Sequence, residues 1–185
     1  MLEAAEKVFG DEGTDASTEV IARRAGVGAG TVFRHFPTKE KLLEAVLERM
    51  ALRLDAAARR CLDTKDPGGA LFSALHHLVE STAAKKAVID ALSGAGVDVR
   101  AYPSLSRLWE TVGELLSRAQ AVGAARRDVG IRELVAVVIG AARAAQFARQ
   151  DRALRDRVIG VVLDGLRSGS AQQAEAGGRS RAGAR

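Results

Sequence analysis

Cysteine is nearly absent: Cys61 stands alone among 185 residues. An internal disulfide is therefore excluded, and a reducing cytoplasm is the compartment that fits. Histidine is almost as rare, with three copies. Adjacent His76 and His77 point about 100° apart on a helix, and no third ligand has suitable spacing, so no metal site is expected. Phosphate-loop, zinc and dinucleotide glycine patterns are missing, and no motif pairs a nucleophile with a base or two carboxylates. These absences argue against an enzyme and against a cofactor. No apolar run approaches the eighteen or so residues of a membrane span, so no membrane partner is expected. Glu3 and Glu6 interrupt the amino terminus where a signal peptide would be apolar. Aromatics make up only 4%, while Ala, Leu and Val dominate a hydrophobic content of 47%, a balance that suits packed helices. No internal repeat of 20 to 50 residues is present.

What is present is concentrated in residues 19–43, EVIARRAGVGAGTVFRHFPTKEKLL. Val20, Ile21, Ala22 and Ala25 form an apolar stripe at helical spacing, capped upstream by Ser17 and ended by Gly26. A second short helix, Gly28 to Phe36, is expected to bury Val32, Phe33 and Phe36, and Pro37 stops it. Thr38 caps a third helix with apolar Leu42, Leu43, Val46, Leu47 and Met50. Two short helices across a tight glycine turn make a helix-turn-helix, which offers its second helix to the DNA major groove.

Charge agrees locally. Residues 20–41 hold Arg23, Arg24, Arg34, Lys39 and Lys41 against Glu40 alone. The preceding 19 residues hold Glu3, Glu6, Asp11, Glu12, Asp15 and Glu19 against Lys7. A basic island in an acidic helical region says more than the chain's overall +5, although a pI near 9.9 also suits a nucleic-acid partner.

These residues, with LEAAEKVFGDEG from Leu2, resemble the TetR family of bacterial transcriptional repressors. The likeness is close over about residues 2–47 and lies in style alone beyond, up to an LDGLR-like helix. It implies an all-α fold of about nine helices. Residues 1–47 would be a three-helix helix-turn-helix DNA-binding domain, and 48–167 a helical effector-binding and dimerisation domain. Residues 168–185, rich in Ser, Gly, Ala, Gln and Arg, form a tail with too little apolar surface to order. Three positions depart from the family pattern. Gly28 replaces a hydroxylated cap, Phe33 replaces an aromatic hydroxyl that donates to phosphate, and the chain opens at Met1-Leu2 without a basic arm. An arm lost or excluded by a late start would take some phosphate affinity with it.

The DNA-contacting set expected is Gly28, Gly30, Thr31, Phe33, Arg34, His35 and Lys39. Thr31 and Arg34 suit a base edge or a phosphate, His35 and Lys39 suit the backbone, and the two glycines allow close approach. Helices are expected over Leu2–Glu12, Lys39–Leu62, Ala70–Ser81, Ala83–Leu92, Leu105–Val122, Ile131–Ala148 and Leu154–Leu166, with loops at Asp63–Gly69 and Ser93–Pro103. The resemblance implies a small-molecule effector among the later helices, with Phe72, Leu75, His76, Val79, Trp109 and Val112 as pocket candidates. Little charge on those faces suggests an apolar or weakly polar effector. The last two helices are apolar on most of their circumference and need cover on more than one side. A homodimer through Val138, Ala142, Val158, Val161, Val162 and Leu166 is expected to supply it, the alternative being a deeply buried monomer core. The expected function is a dimeric, effector-released repressor on a near-palindromic operator. Two alternatives stay open: a DNA-binding regulator without a small-molecule effector, and a dimer that no longer binds DNA.

Overall fold

The computed structural model describes residues 1–84, 102–148 and 150–169. Among the described residues there are eight helices and no strand: α1 (Leu2–Glu12), α2 (Thr18–Ala25), α3 (Ala29–His35), α4 (Lys39–Leu62), α5 (Pro67–Ala84), α6 (Pro103–Ala121), α7 (Ile131–Phe147) and α8 (Arg152–Asp164). No helix among them is long and apolar enough to cross a membrane. Of the expected elements, the helix Ala83–Leu92 beyond residue 84, nearly all of the loop 93–103 and the tail from residue 170 lie outside the described residues.

The described residues fall into two compact units. One holds Met1–Ala56 with the described part of Ala84–Leu108, the other Ala57–Ala83 with the described part of Trp109–Arg185.

In the first unit, α1 buries Ala4, Ala5, Val8 and Phe9. α2 packs against both α1 and α3. It starts at Ser17, whose hydroxyl accepts from the Val20 amide at 3.4 Å. It stops at Gly26, where φ is +67° and ψ +30°. That left-handed residue lets the Val27 amide return to the Ala22 carbonyl at 3.0 Å, closing the turn that aims α3. α4 begins under Thr38, whose hydroxyl accepts from the Lys41 amide at 3.3 Å. Its inner face buries Leu42, Leu43, Val46, Leu47, Met50, Ala51 and Leu54. Arg53 pairs with Glu6, and Arg49 with Glu3 at 3.9 Å, holding α4 to α1. The buried Ser104 hydroxyl donates to Glu48 at 2.6 Å, which ties the start of α6 to α4.

In the second unit, α5 starts three residues earlier than its apolar pattern indicates. Pro67 takes the first helical position, where its missing N–H is no loss, and Asp66 caps it by accepting from the Gly69 amide at 3.0 Å. The glycines that read as a turn sit inside the first turn because space is short there. A Cβ on Gly68 would come within 2.8 Å of the Ala124 Cβ, and one on Gly69 would collide with the Asp66 carboxylate. α8 also starts early, because Asp151 accepts from the Leu154 amide at 2.9 Å. The core is Leu71, Leu75, Leu78 and Val79 of α5, Val112, Leu115, Leu116 and Ala119 of α6, Leu134, Val138 and Ala142 of α7, and Ile159 and Leu163 of α8. The loop after α6 pairs with the chain leaving α8, the Arg126 amide donating to the Leu166 carbonyl at 3.0 Å. Gln120 braces that loop through bonds to the Arg126 and Val129 carbonyls at 2.8 and 2.9 Å.

Candidate nucleic-acid interface

α3 has seven residues, less than two turns. Val32 is its one buried residue, and Phe36, at its C-cap, is half-buried. Thr31, Phe33, Arg34 and His35 are exposed, as are Gly28 and Gly30, and Lys39 is half-buried. The expected buried face is corrected at Phe33, whose surface is 66% exposed. Neighbouring helical residues differ by about 100°, so with Val32 inward Phe33 must point sideways. By the same geometry Arg34 and Gly30 lie opposite Val32, with Phe33 on one flank and Thr31 and His35 on the other.

The polar groups of this face are unevenly engaged. His35 Nδ1 lies 2.9 Å from the Thr31 carbonyl, which can only accept, so Nδ1 donates and Nε2 is left for an outside partner. Arg34 has no partner among the described residues. Arg24, by contrast, pairs with Asp11 at 3.5 Å, and Lys41 with Glu44 at 2.8 Å. Gly28 at the N-cap is extended (φ −69°, ψ 147°) and offers no side-chain bond. α2 and α4 are capped by hydroxyls, and each keeps a carboxylate in its first turn. The Ser17 hydroxyl and the local backbone amide hold Glu19 below the usual carboxylate range, and the local backbone amide and the Thr38 hydroxyl do the same for Glu40. α3 carries no acidic residue in its first turn.

In the second unit, α5 and α8 border an open groove of about 450 Å³. Of the effector candidates, Phe72 and His76 line it, together with Ser73, His77, Glu80, Gly160, Leu163, Asp164 and Arg167. Leu75, Val79 and Val112 are buried in the core and Trp109 is half-buried; none of the four lines this groove. The Arg167 guanidinium lies 3.9 Å from the Phe72 ring centroid, and Glu80 stands 3.7 Å from His76 and 3.8 Å from Arg155. The groove is thus more charged than the sequence faces suggest. Among the described residues no cluster of three or more His, Cys, Asp or Glu is placed to hold a metal ion. Of the dimer candidates, Val138, Ala142 and Leu166 are buried inside the unit, Val158 and Val162 are half-buried, and Val161 is 74% exposed.

Comparison with known proteins converges. Residues 1–46 match the bacterial regulatory proteins of the tetR family, and residues 66–168 match the C-terminal domain of SbtR-like transcriptional regulators. The chain belongs to the TetR family. A TetR transcription regulatory protein from Mycobacterium vanbaalenii is 40% identical, with 90% of this chain and 92% of that one covered and a TM-score of 0.68. The TetR transcriptional regulator SCO0520 from Streptomyces coelicolor is 35% identical, with 90% and 95% covered and a TM-score of 0.72. The HTH-type transcriptional repressor Rv3405c of Mycobacterium tuberculosis is 31% identical over 113 residues, which span 60% of this chain and 56% of that protein. The chain therefore aligns with little more than half the length of that curated relative. These relatives are transcriptional regulators, not enzymes.

For this TetR-family chain, the head was legible and the groove was not. Glu80 and Asp164 are polar residues of helices whose apolar stripes dominate, Arg167 lies just beyond α8, and only the packing of α5 beside the end of α8 brings the three together. A second surface, the outward side of α7, was read from the sequence with other residues, Val138 and Ala142, which are buried. Ile139 and Phe147 of α7 point away from its buried face and are 46% and 97% exposed.

Proposed function

We propose that this chain is a dimeric, effector-released repressor that reads a near-palindromic double-stranded DNA operator through α3. The observation that carries the reading is the outward edge of α3, where Arg34 stands unpaired between Phe33 and the Thr31–His35 flank. In this role Arg34 takes guanine or phosphate through its two parallel donors, and Thr31 takes a base edge. His35 Nε2 and Lys39 fix the backbone, and Gly28 and Gly30 let α3 approach closely. Residues 1–47 form the reading head, 48–167 the sensing and dimerising part, and 168–185 a tail. The repressor sign is supported by the name of Rv3405c, and cytoplasmic action by the DNA target.

One short helix reads only a few base pairs, so selective binding needs two copies. The outward apolar residues Ile139, Phe147, Leu154 and Val161 of α7 and α8 support a second copy as their cover. The groove of α5 and α8 falls within the size range of small-molecule sites and supports an effector over the effector-free alternative. Its lining of Phe72, both histidines, Glu80 and Arg167 suits a ligand with both an apolar body and hydrogen-bonding groups.

The test is selection of random duplexes by the full-length protein. The expected product is an inverted repeat with half-sites about one helical turn apart. A protein that enriches no sequence, or that enriches an asymmetric single site as a monomer, overturns the proposal.

A further inference from the structure

We infer that Phe33 is a sequence-reading residue whose ring takes the 5-methyl group of a thymine in the major groove, beside the base pair met by Arg34. The inference rests on α3 being the DNA-facing helix. Phe33 is 66% exposed, on the flank of α3 next to the unpaired Arg34. The residues one turn before it are Ala29 and Gly30, the two smallest side chains, so nothing on α3 overlies the ring. A Cβ built on Gly30 meets nothing within 4 Å, so the outward face beside that flank is open.

Single exposed apolar residues are ordinary on a protein surface, and position is what distinguishes this one. Among the described residues of the first unit the other exposed large apolar residue is Leu52 on α4, at 44%. Phe33 lies instead on the element that carries Thr31, Arg34 and His35. A phenyl ring has no donor, so a phosphate gains nothing from it. The apolar group on a major-groove base edge is the thymine methyl, and covering it removes both surfaces from water. The ring therefore adds sequence choice where a hydroxyl-bearing ring would add affinity for phosphate without choice. Arg34 and Phe33 are consecutive on a short helix, so the methyl belongs to a base pair next to the one Arg34 meets.

The experiment uses the full-length protein and its selected operator, with each thymine replaced in turn by deoxyuridine, which removes the methyl alone. One thymine per half-site is expected to matter to the wild-type protein, by about fourfold, the scale of one methyl taken out of water. Phe33→Ala is expected to lose that sensitivity while keeping selection at the Arg34 base pair. Because the ring is exposed, this variant leaves the buried core unchanged, and the wild-type arm needs no variant. A further arm places cytosine or 5-methylcytosine at the sensitive position, because 5-methylcytosine carries the same methyl. Tightest binding to thymine supports the inference, and tighter binding to 5-methylcytosine overturns it. An operator indifferent to every thymine methyl, or equal deoxyuridine losses in wild type and Phe33→Ala, also overturns it while leaving the reading of α3 intact. Failure to select any operator removes that reading and this inference together.

Discussion

α3 and α7 turn unlike faces to solvent. α3 buries Val32 and exposes Thr31, Arg34 and His35, with Phe33 as its single large apolar residue outward. α7 buries Leu134, Val138, Ala141, Ala142 and Ala145, yet away from that face it still shows Ile139 and Phe147. A helix that ends in unpaired cation and hydroxyl is a stable surface in water and gains most from a polyanion. A helix apolar on two sides is finished only when a second protein surface covers it. The contrast supports the proposal that DNA meets the first and a second copy of the chain covers the second.

The strongest way to break this contrast is to make α7 and α8 polar outside. Phe147→Glu with Val161→Glu is expected to convert dimer to monomer and to weaken operator binding by at least about 100-fold, because two linked heads bind far tighter than one. Helix content is expected to stay, since neither side chain is in the core. Sedimentation and mobility shift measure the two effects, and a dimer that survives both substitutions breaks the assignment. Next in size is the division within the head. Arg34→Ala is expected to reduce operator binding about 10- to 100-fold, the range for one base contact, with a much smaller loss on random duplex. Lys39→Ala is expected to weaken both alike, as a phosphate contact does. Equal losses on both DNAs for both variants would erase the distinction between reading and positioning.

Two glycines sharpen the comparison between scaffold and reading edge. Gly26→Ala places a side chain at φ +67° and is expected to destabilise the head by about 1 kcal/mol in chemical denaturation. Gly30→Ala is expected to act the other way on folding, adding up to about 1 kcal/mol of helix stability. It should still weaken operator binding, because the new methyl stands on the outward face of α3 proposed to meet DNA. A loss of stability in Gly30→Ala would contradict the open outward face. The smallest effect is Gly28→Ser. Its Cβ would lie 3.9 Å from Thr31 Oγ1, with room to spare, and restoring a cap is expected to raise stability by a few tenths of a kcal/mol.

Much of the head could be read without coordinates because its signals are local. Ser17, Gly26 and Thr38 each act within a turn of the chain, and the structure places each in its expected role. The limits of α4 were equally plain, since Thr38 starts it and apolar spacing carries it through. Phe33 was misplaced because periodicity averages over several turns and α3 has fewer than two. α5 was started late because Pro-Gly-Gly reads as a turn, whereas Asp66 before Pro67 is also a helix start. The groove was least legible, since it depends on how two helices distant in sequence lie beside each other. The same holds for the outer stripe of α7, where sequence shows an all-round apolar helix but only packing tells which side is spent inside.

A hydroxyl-radical footprint of the full-length protein on its selected operator tests the central claim most directly. The account predicts two equal protected patches related by two-fold symmetry, about one helical turn apart and both weakened by Arg34→Ala. A single asymmetric patch, or a footprint that Arg34→Ala leaves unchanged, would contradict it.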